Sequence, residues 1–295
     1  MSGKYSVNKH LAGINFSSLS HADGISMLQK ILDEKIHGMS YSPYMDGQEP
    51  GVEISNAQIE QRLKIIQPYT NWIRTFSCVD GNENIPGIAK KHDLKTMVGV
   101  CLSDDRDKNE IELSNAIDIA RQGDVDILAV GNEVLLRGEL TEQELIDYIA
   151  RAKQALPDLS VSYVDAYFQF EDHPRLVEAC DVLLVNCYPF WEECSADYAL
   201  LYMKDMYHRS VRVANGKKVI ISETGWPTAG AACGAAIPSY ENAMQYFINT
   251  YLWAEQEDID IFYFSSFDEA WKTGDEGDVG AYWGLWDKDG KFKYL

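Results

Sequence analysis

Eight short apolar runs alternate with helical patterns from residue 36 to residue 267, and no other feature of the chain restricts its fold so strongly. The runs span 36–42, 71–78, 95–102, 124–131, 159–166, 181–187, 217–222 and 260–267. Each reads as a strand buried on both faces, as in a parallel sheet whose faces are covered by helices. Helices are predicted between them over 56–67, 85–92, 109–122, 142–155, 173–179, 199–213 and 240–256. Strict alternation with no shift in composition predicts one domain around a parallel sheet. Eight units favour a closed (β/α)8 barrel, for which about 250 residues is typical, over an open doubly wound sheet. Neither G-x-G-x-x-G nor G-x-x-x-x-G-K-[ST] is present to suggest a nucleotide crevice.

Ser55-Asn-Ala-Gln58 and Thr141-Glu-Gln-Glu144 read as capping boxes, in which side chain and backbone satisfy each other's orphan groups, and they fix two helix starts. No internal repeat, linker or low-complexity tract interrupts the pattern. Residues 1–35 form an N-terminal extension with a further helix predicted over 25–35, placed to plug the barrel floor; residues 36–295 form the barrel.

Charge excludes some partners. With 46 acidic against 26 basic residues the formal charge is −20, which repels phosphate backbones and anionic lipid headgroups and otherwise serves solubility. No nucleic acid or membrane partner is expected, and the sequence leaves the oligomeric state open. No run approaches the roughly 20 apolar residues of a membrane span. The first residues, Met1 to Ser6, hold no apolar signal core, so the chain as it stands reads as cytoplasmic. A secreted or periplasmic protein shorn of its leader would look the same.

Six cysteines (Cys78, Cys101, Cys180, Cys187, Cys194, Cys233) lack C-x-x-C spacing and read as small core hydrophobes. Six histidines show no metal-binding spacing. The acidic turn at 274–278 lacks the EF-hand pattern and reads as a solvated loop, so no metal or other cofactor is expected.

In a barrel of this kind the active site is built at the C-terminal strand ends. Here those ends offer Tyr41 and Tyr44 (first strand), Arg74 (second), Asn132 and Glu133 (fourth), and Asp165 and Tyr167 (fifth). The sixth gives Asn186, Tyr188, Phe190 and Trp191, the seventh Glu223 and Trp226, and the eighth Asp268, Glu269, Trp271 and Lys272. Aromatics among carboxylates and amides suit a sugar, whose ring faces stack while its hydroxyls take directed hydrogen bonds. The same residues have structural alternatives. The sixth-strand aromatics would also cap the barrel, Arg74 and Glu269 would also pair at its mouth, and Trp283 and Trp286 read as packing against the barrel wall.

Two glutamates stand apart, in Asp126-Ile-Leu-Ala-Val-Gly-Asn-Glu133 and Lys218-Val-Ile-Ile-Ser-Glu-Thr-Gly-Trp-Pro-Thr228. Each follows a buried-strand run, so each carboxyl is delivered where its strand exits. Paired carboxyls delivered in this way are the machinery of glycoside hydrolysis.

These residues resemble glycoside hydrolase family 17, the β-1,3-glucanases and glucanosyltransferases. Val130-Gly-Asn-Glu-Val134 is similar to that family's acid/base motif, and Ser222-Glu-Thr-Gly-Trp-Pro-Thr228 to its more specific nucleophile motif. Phe267-Asp-Glu-Ala-Trp-Lys272 resembles its eighth-strand signature, Asn186-Cys-Tyr-Pro-Phe190 its sixth-strand segment, and Trp283-Gly-Leu-Trp286 with Asp289-Gly-Lys291 its C-terminal ending. Ser40-Tyr-Ser-Pro-Tyr-Met-Asp-Gly-Gln48 is closer to bacterial and fungal members than to plant ones. Only 90 positions separate Glu133 from Glu223, which leaves no room for the extra subdomain of the plant endoglucanases.

The resemblance implies a retaining double displacement on β-1,3-linked glucan or laminari-oligosaccharides, with Glu223 as nucleophile and Glu133 as acid/base. Asn132, Glu269 and Lys272 would support the pair, Lys272 as the cation that favours ionised Glu223. Tyr41, Tyr44, Arg74, Asp165, Asn186, Tyr188, Phe190, Trp191, Trp226 and Trp271 would bind substrate. Two alternatives stay open: a transglucosylase using the same intermediate, and a silent carbohydrate-binding barrel.

Overall fold

The computed structural model describes residues 13, 14, 16–274 and 276–294. Asp275 of the acidic turn and the first six residues, on which the leader reading rests, lie outside them. All eight expected strands form and close into one parallel barrel in sequence order. They are β1 (Ile36–Ser40), β2 (Thr70–Arg74), β3 (Lys95–Val100), β4 (Ile127–Asn132), β5 (Ser160–Ala166), β6 (Leu183–Asn186), β7 (Val219–Thr224) and β8 (Ile261–Tyr263).

The expected helices follow: α1 (His21–Asp33), α2 (Asn56–Ile66), α3 (Ile85–Lys91), α4 (Arg106–Arg121), α5 (Glu142–Ala155), α7 (Pro174–Ala179), α8 (Ala196–Val213) and α9 (Tyr240–Glu257). One short helix, α6 (Gln169–Asp172), was not foreseen. Its four residues are too few to show a helical period. Among the described residues, no helix is long and apolar enough to cross a membrane.

The barrel interior is filled by Met97, Ile127, Ala129, Val164, Leu184, Ile220 and Phe262, so it is a packed core and not a pore. Gly38 on β1 has no room for a side chain, since a Cβ there would stand 2.4 Å from the Phe262 ring on the paired strand. Outside the strands, each helix turns an apolar stripe inward. On α5 these are Leu145, Tyr148, Ile149 and Ala152, spaced as a 3.6-residue period demands. The Thr141 capping box is complete, with Thr141 accepting from the Glu144 N–H and the Glu144 carboxylate accepting in return. The Ser55 box is half made, because the Gln58 amide turns away to Pro43 O (2.7 Å) and Gln48 Oε1 (2.6 Å) and pins the loop after β1.

The extra helix α1 does not plug the floor. It packs on α9 in the outer ring, where Gly24 admits the Met244 side chain and Leu28 and Leu32 are buried. Among the described residues only a 3-10 helix, Gly277–Tyr282, follows β8, and α1 fills the place an α-helix there would hold, immediately before β1. The Ile14 N–H adds a bond to Asn249 Oδ1 of α9 at 2.8 Å.

Candidate active site

Glu133 and Glu223 are raised at the mouth by the same device. Across β4 and β5 the register runs Ala129↔Ser162 and then Asn132↔Val164, so β4 carries one extra residue just before Glu133. On β7 an extra residue lies at Ser222–Glu223 relative to both β6 and β8. Such bulges bend a strand and re-aim a side chain. Gly131 (φ 91°) makes the β4 bulge without strain, and Glu133 itself adopts the left-handed region (φ 54°), with its N–H bonded to Val164 O at 2.9 Å.

Both carboxyls face one cleft, yet their neighbours differ. Glu223 is 6 % exposed, ion-paired with the buried guanidinium of Arg74, and accepts the Tyr188 hydroxyl at 2.8 Å. Arg74 also donates to Ser222 O (3.0 Å) and Asn132 Oδ1 (2.9 Å), tying β2, β4 and β7 together beneath the cleft. Glu133 meets no cation in direct contact among the described residues; its Oε1 accepts Asn186 Nδ2 at 2.8 Å. Burial, reinforced by the charge of Glu223, pushes the Glu133 carboxyl up to about 7, against the opposing Asn186 bond. Asn186 is in turn fixed by Ser222 Oγ, which donates to its Oδ1 at 2.9 Å.

The cleft divides at the carboxyl pair. One half, about 360 Å³, is aromatic, with Tyr167, Phe168, Tyr188, Trp191, Phe264 and Trp283 around it and Leu136 at its rim. The other, about 330 Å³, is more polar, with Ser40, Ser42, Tyr44, Asn82, Glu269 and Trp271 on its wall. Each is at the low end of the ~300–1,000 Å³ usual for small-molecule sites. Both volumes reach Lys272 and Glu276.

Of the residues expected at the site, Tyr41, Tyr44, Asn132, Glu133, Asn186, Tyr188, Trp191, Glu223, Glu269, Trp271 and Lys272 line one half or both. Tyr41, though, is 2 % exposed and spends its hydroxyl on Ile59 O. Four expected substrate contacts do not reach the cleft surface. Phe190 and Trp226 are fully buried and meet edge to face at 5.3 Å, with the Trp226 indole N–H donated to Ile237 O. Arg74 lies beneath Glu223, and Asp165 is buried against Tyr163. Arg74 does not pair with Glu269.

The expected role of Lys272 is also corrected. Its ammonium is 2.7 Å from Glu276 and 4.0 Å above the Phe264 ring, and the cation on Glu223 is Arg74. A β2 interior position reaches straight across the barrel to β7, whereas Lys272 sits on the loop above. Asp268 is turned away to Lys293 (2.8 Å). Trp283, expected as wall packing, is the hub of the aromatic half, within 6.0 Å of Tyr188, Phe190, Trp191 and Phe264. Phe264 and Phe76 were missed; they follow strands whose apolar runs hide any cleft residue. Cys101, expected in the core, is exposed on the polar wall, since β3 ends one residue earlier.

Residues 38–284 match the model of the BtgE/BtgC glycoside hydrolase domain. The chain is similar to a glucan 1,3-β-glucosidase of Candida albicans, 26 % identical over 260 residues that cover 80 % of this chain and 84 % of the relative. It also resembles the crystal structure of a glycoside hydrolase family 17 β-1,3-glucanosyltransferase from Rhizomucor miehei, with a TM-score of 0.79, 29 % identity and coverage of 88 % and 96 %. An active-site mutant of the Rhizomucor enzyme in complex with laminaritriose aligns with the same TM-score, 0.79, at 28 % identity, covering 88 % of this chain and 96 % of that one.

Proposed function

The chain belongs to the BtgE/BtgC glycoside hydrolases of family 17, and from that premise we propose that it cleaves β-1,3-linked glucan by a retaining double displacement. One observation carries the assignment of roles: Glu223 is ion-paired with Arg74 and accepts the Tyr188 hydroxyl, while the Glu133 carboxyl beside it meets only the Asn186 amide among the described residues and is pushed by burial up to about 7. A carboxyl kept protonated beside one held in an ion pair supplies the acid and the nucleophile that the reaction needs. Glu223 attacks the anomeric carbon while Glu133 passes its proton to the departing glycosidic oxygen. The resulting Glu133 carboxylate then takes a proton from an incoming hydroxyl, which displaces Glu223.

The incoming hydroxyl is water in hydrolysis and a sugar in transfer. Transfer is favoured by the aromatic half, where the 40 % exposed Trp191 beside Trp283 offers a stacking platform next to Glu133. With two small halves and little remote binding energy to gather, short laminari-oligosaccharides should be turned over nearly as well as polymer.

The test is incubation with laminari-oligosaccharides, sizing the products and following the first-formed anomer by proton NMR. Shorter products mean hydrolysis and longer ones transfer. A first-formed β-anomer supports retention; an α-anomer, or no product, rejects the proposal.

A further inference from the structure

The loop that presents Glu133 is held from β5 by two side chains buried to 0 % exposure, Tyr163 and Asp165. The Tyr163 ring lies under the β4 bulge, so close that a Cβ at Gly131 would stand 3.2 Å from it. Its hydroxyl accepts the Leu135 N–H at 3.1 Å and donates to Asp165 Oδ2. Asp165 accepts the Ala166 N–H at 2.7 Å. With Glu133 N–H on Val164 O, the backbone of 133 and 135 is bonded to two consecutive residues of β5, and Asp165 holds the hydroxyl of one of them. A strand interior that only needed filling would do so with apolar groups, since burying a carboxyl is costly unless it is fully bonded.

We infer that Tyr163 and Asp165 are a positioning pair, which fixes the loop bearing Glu133 so that its proton is aimed at the departing oxygen, and that Asp165 is not a sugar ligand. This rests on the acid/base reading of Glu133. The groups facing Glu133 are Glu223 from β7, Arg74 from β2, Asp165 from β5, Arg137 of its own loop, Asn186 and Tyr188 from β6 and its exit, and Lys272 and Glu276 across the cleft. Asp165 itself, raised to about 6 by burial, faces Tyr163 and Arg137. Its negative charge adds to that of Glu223 in holding the Glu133 proton.

The test uses Asp165→Asn and Tyr163→Phe in the full chain, comparing kcat/KM on a laminari-oligosaccharide with that on a dinitrophenyl β-laminarioside, whose leaving group needs no proton. A misaimed acid should cost about ten- to a hundredfold on the first substrate and stay within about threefold on the second. In Asp165→Asn the alkaline limb on the oligosaccharide should also move to lower pH, because a neighbouring negative charge is gone. Equal losses on both substrates, or an unmoved limb in a folded Asp165→Asn, overturn the inference. Should Asp165→Asn not fold, the substrate ratio of Tyr163→Phe decides alone. If Glu133→Ala keeps full activity on glucan, the underlying assignment fails; if Glu133→Ala is inactive and these ratios do not move, only the positioning pair fails.

Discussion

The exits of β4 and β7 use the same bulge to lift the same side chain, and then surround it differently. At β7 a guanidinium from below and a phenol from the aromatic half hold Glu223. At β4 a single amide N–H meets Glu133, with carboxyls on either side of it. Under the proposed roles, the contrast teaches that nucleophile and acid would be distinguished by their donors, since glutamate itself favours neither role.

The largest effects should come from removing each carboxyl. Glu223→Ala should lose nearly all activity, and added azide with an activated β-glucoside should give the α-glucosyl azide. Glu133→Ala should lose about 10²–10⁴-fold on glucan, with azide giving the β-glucosyl azide. Reversed anomers would break the comparison outright.

Arg74→Met comes next. It leaves Glu223 buried without its partner, which costs about 3–5 kcal/mol for a broken buried pair and is read by denaturant unfolding. Lys272→Met should cost at most about 1 kcal/mol, as for a partly exposed pair. Equal effects would mean that the β7 cation had been misplaced.

The two expected sugar platforms should likewise part company. Trp226→Ala should cost about 3–5 kcal/mol of stability as a core truncation. Trp191→Ala should leave the melting temperature nearly unchanged and raise KM severalfold, in line with the ~0.5–1.5 kcal/mol of an aromatic contact.

A pH titration sharpens the β4 side. Because the folded state holds the Glu133 proton to about 7 rather than 4.5, Glu133 binds more proton in the folded than in the unfolded chain in that window, and its own contribution to stability falls as pH rises through it. Glu133→Gln cannot ionise. Its stability relative to wild type should grow by up to about 3 kcal/mol between pH 4.5 and 7, and a flat difference would show that Glu133 has an ordinary pKa.

The barrel was legible because buried strands and amphipathic helices each write a local period, and all eight exits could be counted. Glu133 and Glu223 were legible as a pair, because one carboxyl after a buried run is ordinary as a loop residue or helix cap, whereas two at separate strand ends of one barrel are not. Pairings across the barrel were not. Arg74 and Glu223 are 149 positions apart, and nothing local distinguishes an inward-pointing arginine from one at the rim. Nor does the Trp226 sequence context reveal that Phe190 and Tyr246 close over it. Aromatics at strand ends serve sugar and core alike, and burial alone separates Trp191 from Trp226.

The place of α1 bears on how the chain reaches this state. Synthesis delivers α1 early, but its docking surface on α9 follows more than 200 residues later, as the Gly24–Met244 and Ile14–Asn249 contacts record. The seam between β1 and β8 has the same separation. Until α9 and β8 emerge, an amphipathic helix and an open sheet edge must wait unpaired, the kind of exposed surface on which chaperones act. Ring closure is therefore a late, high-contact-order event, and it is the step at which this fold is most vulnerable to aggregation.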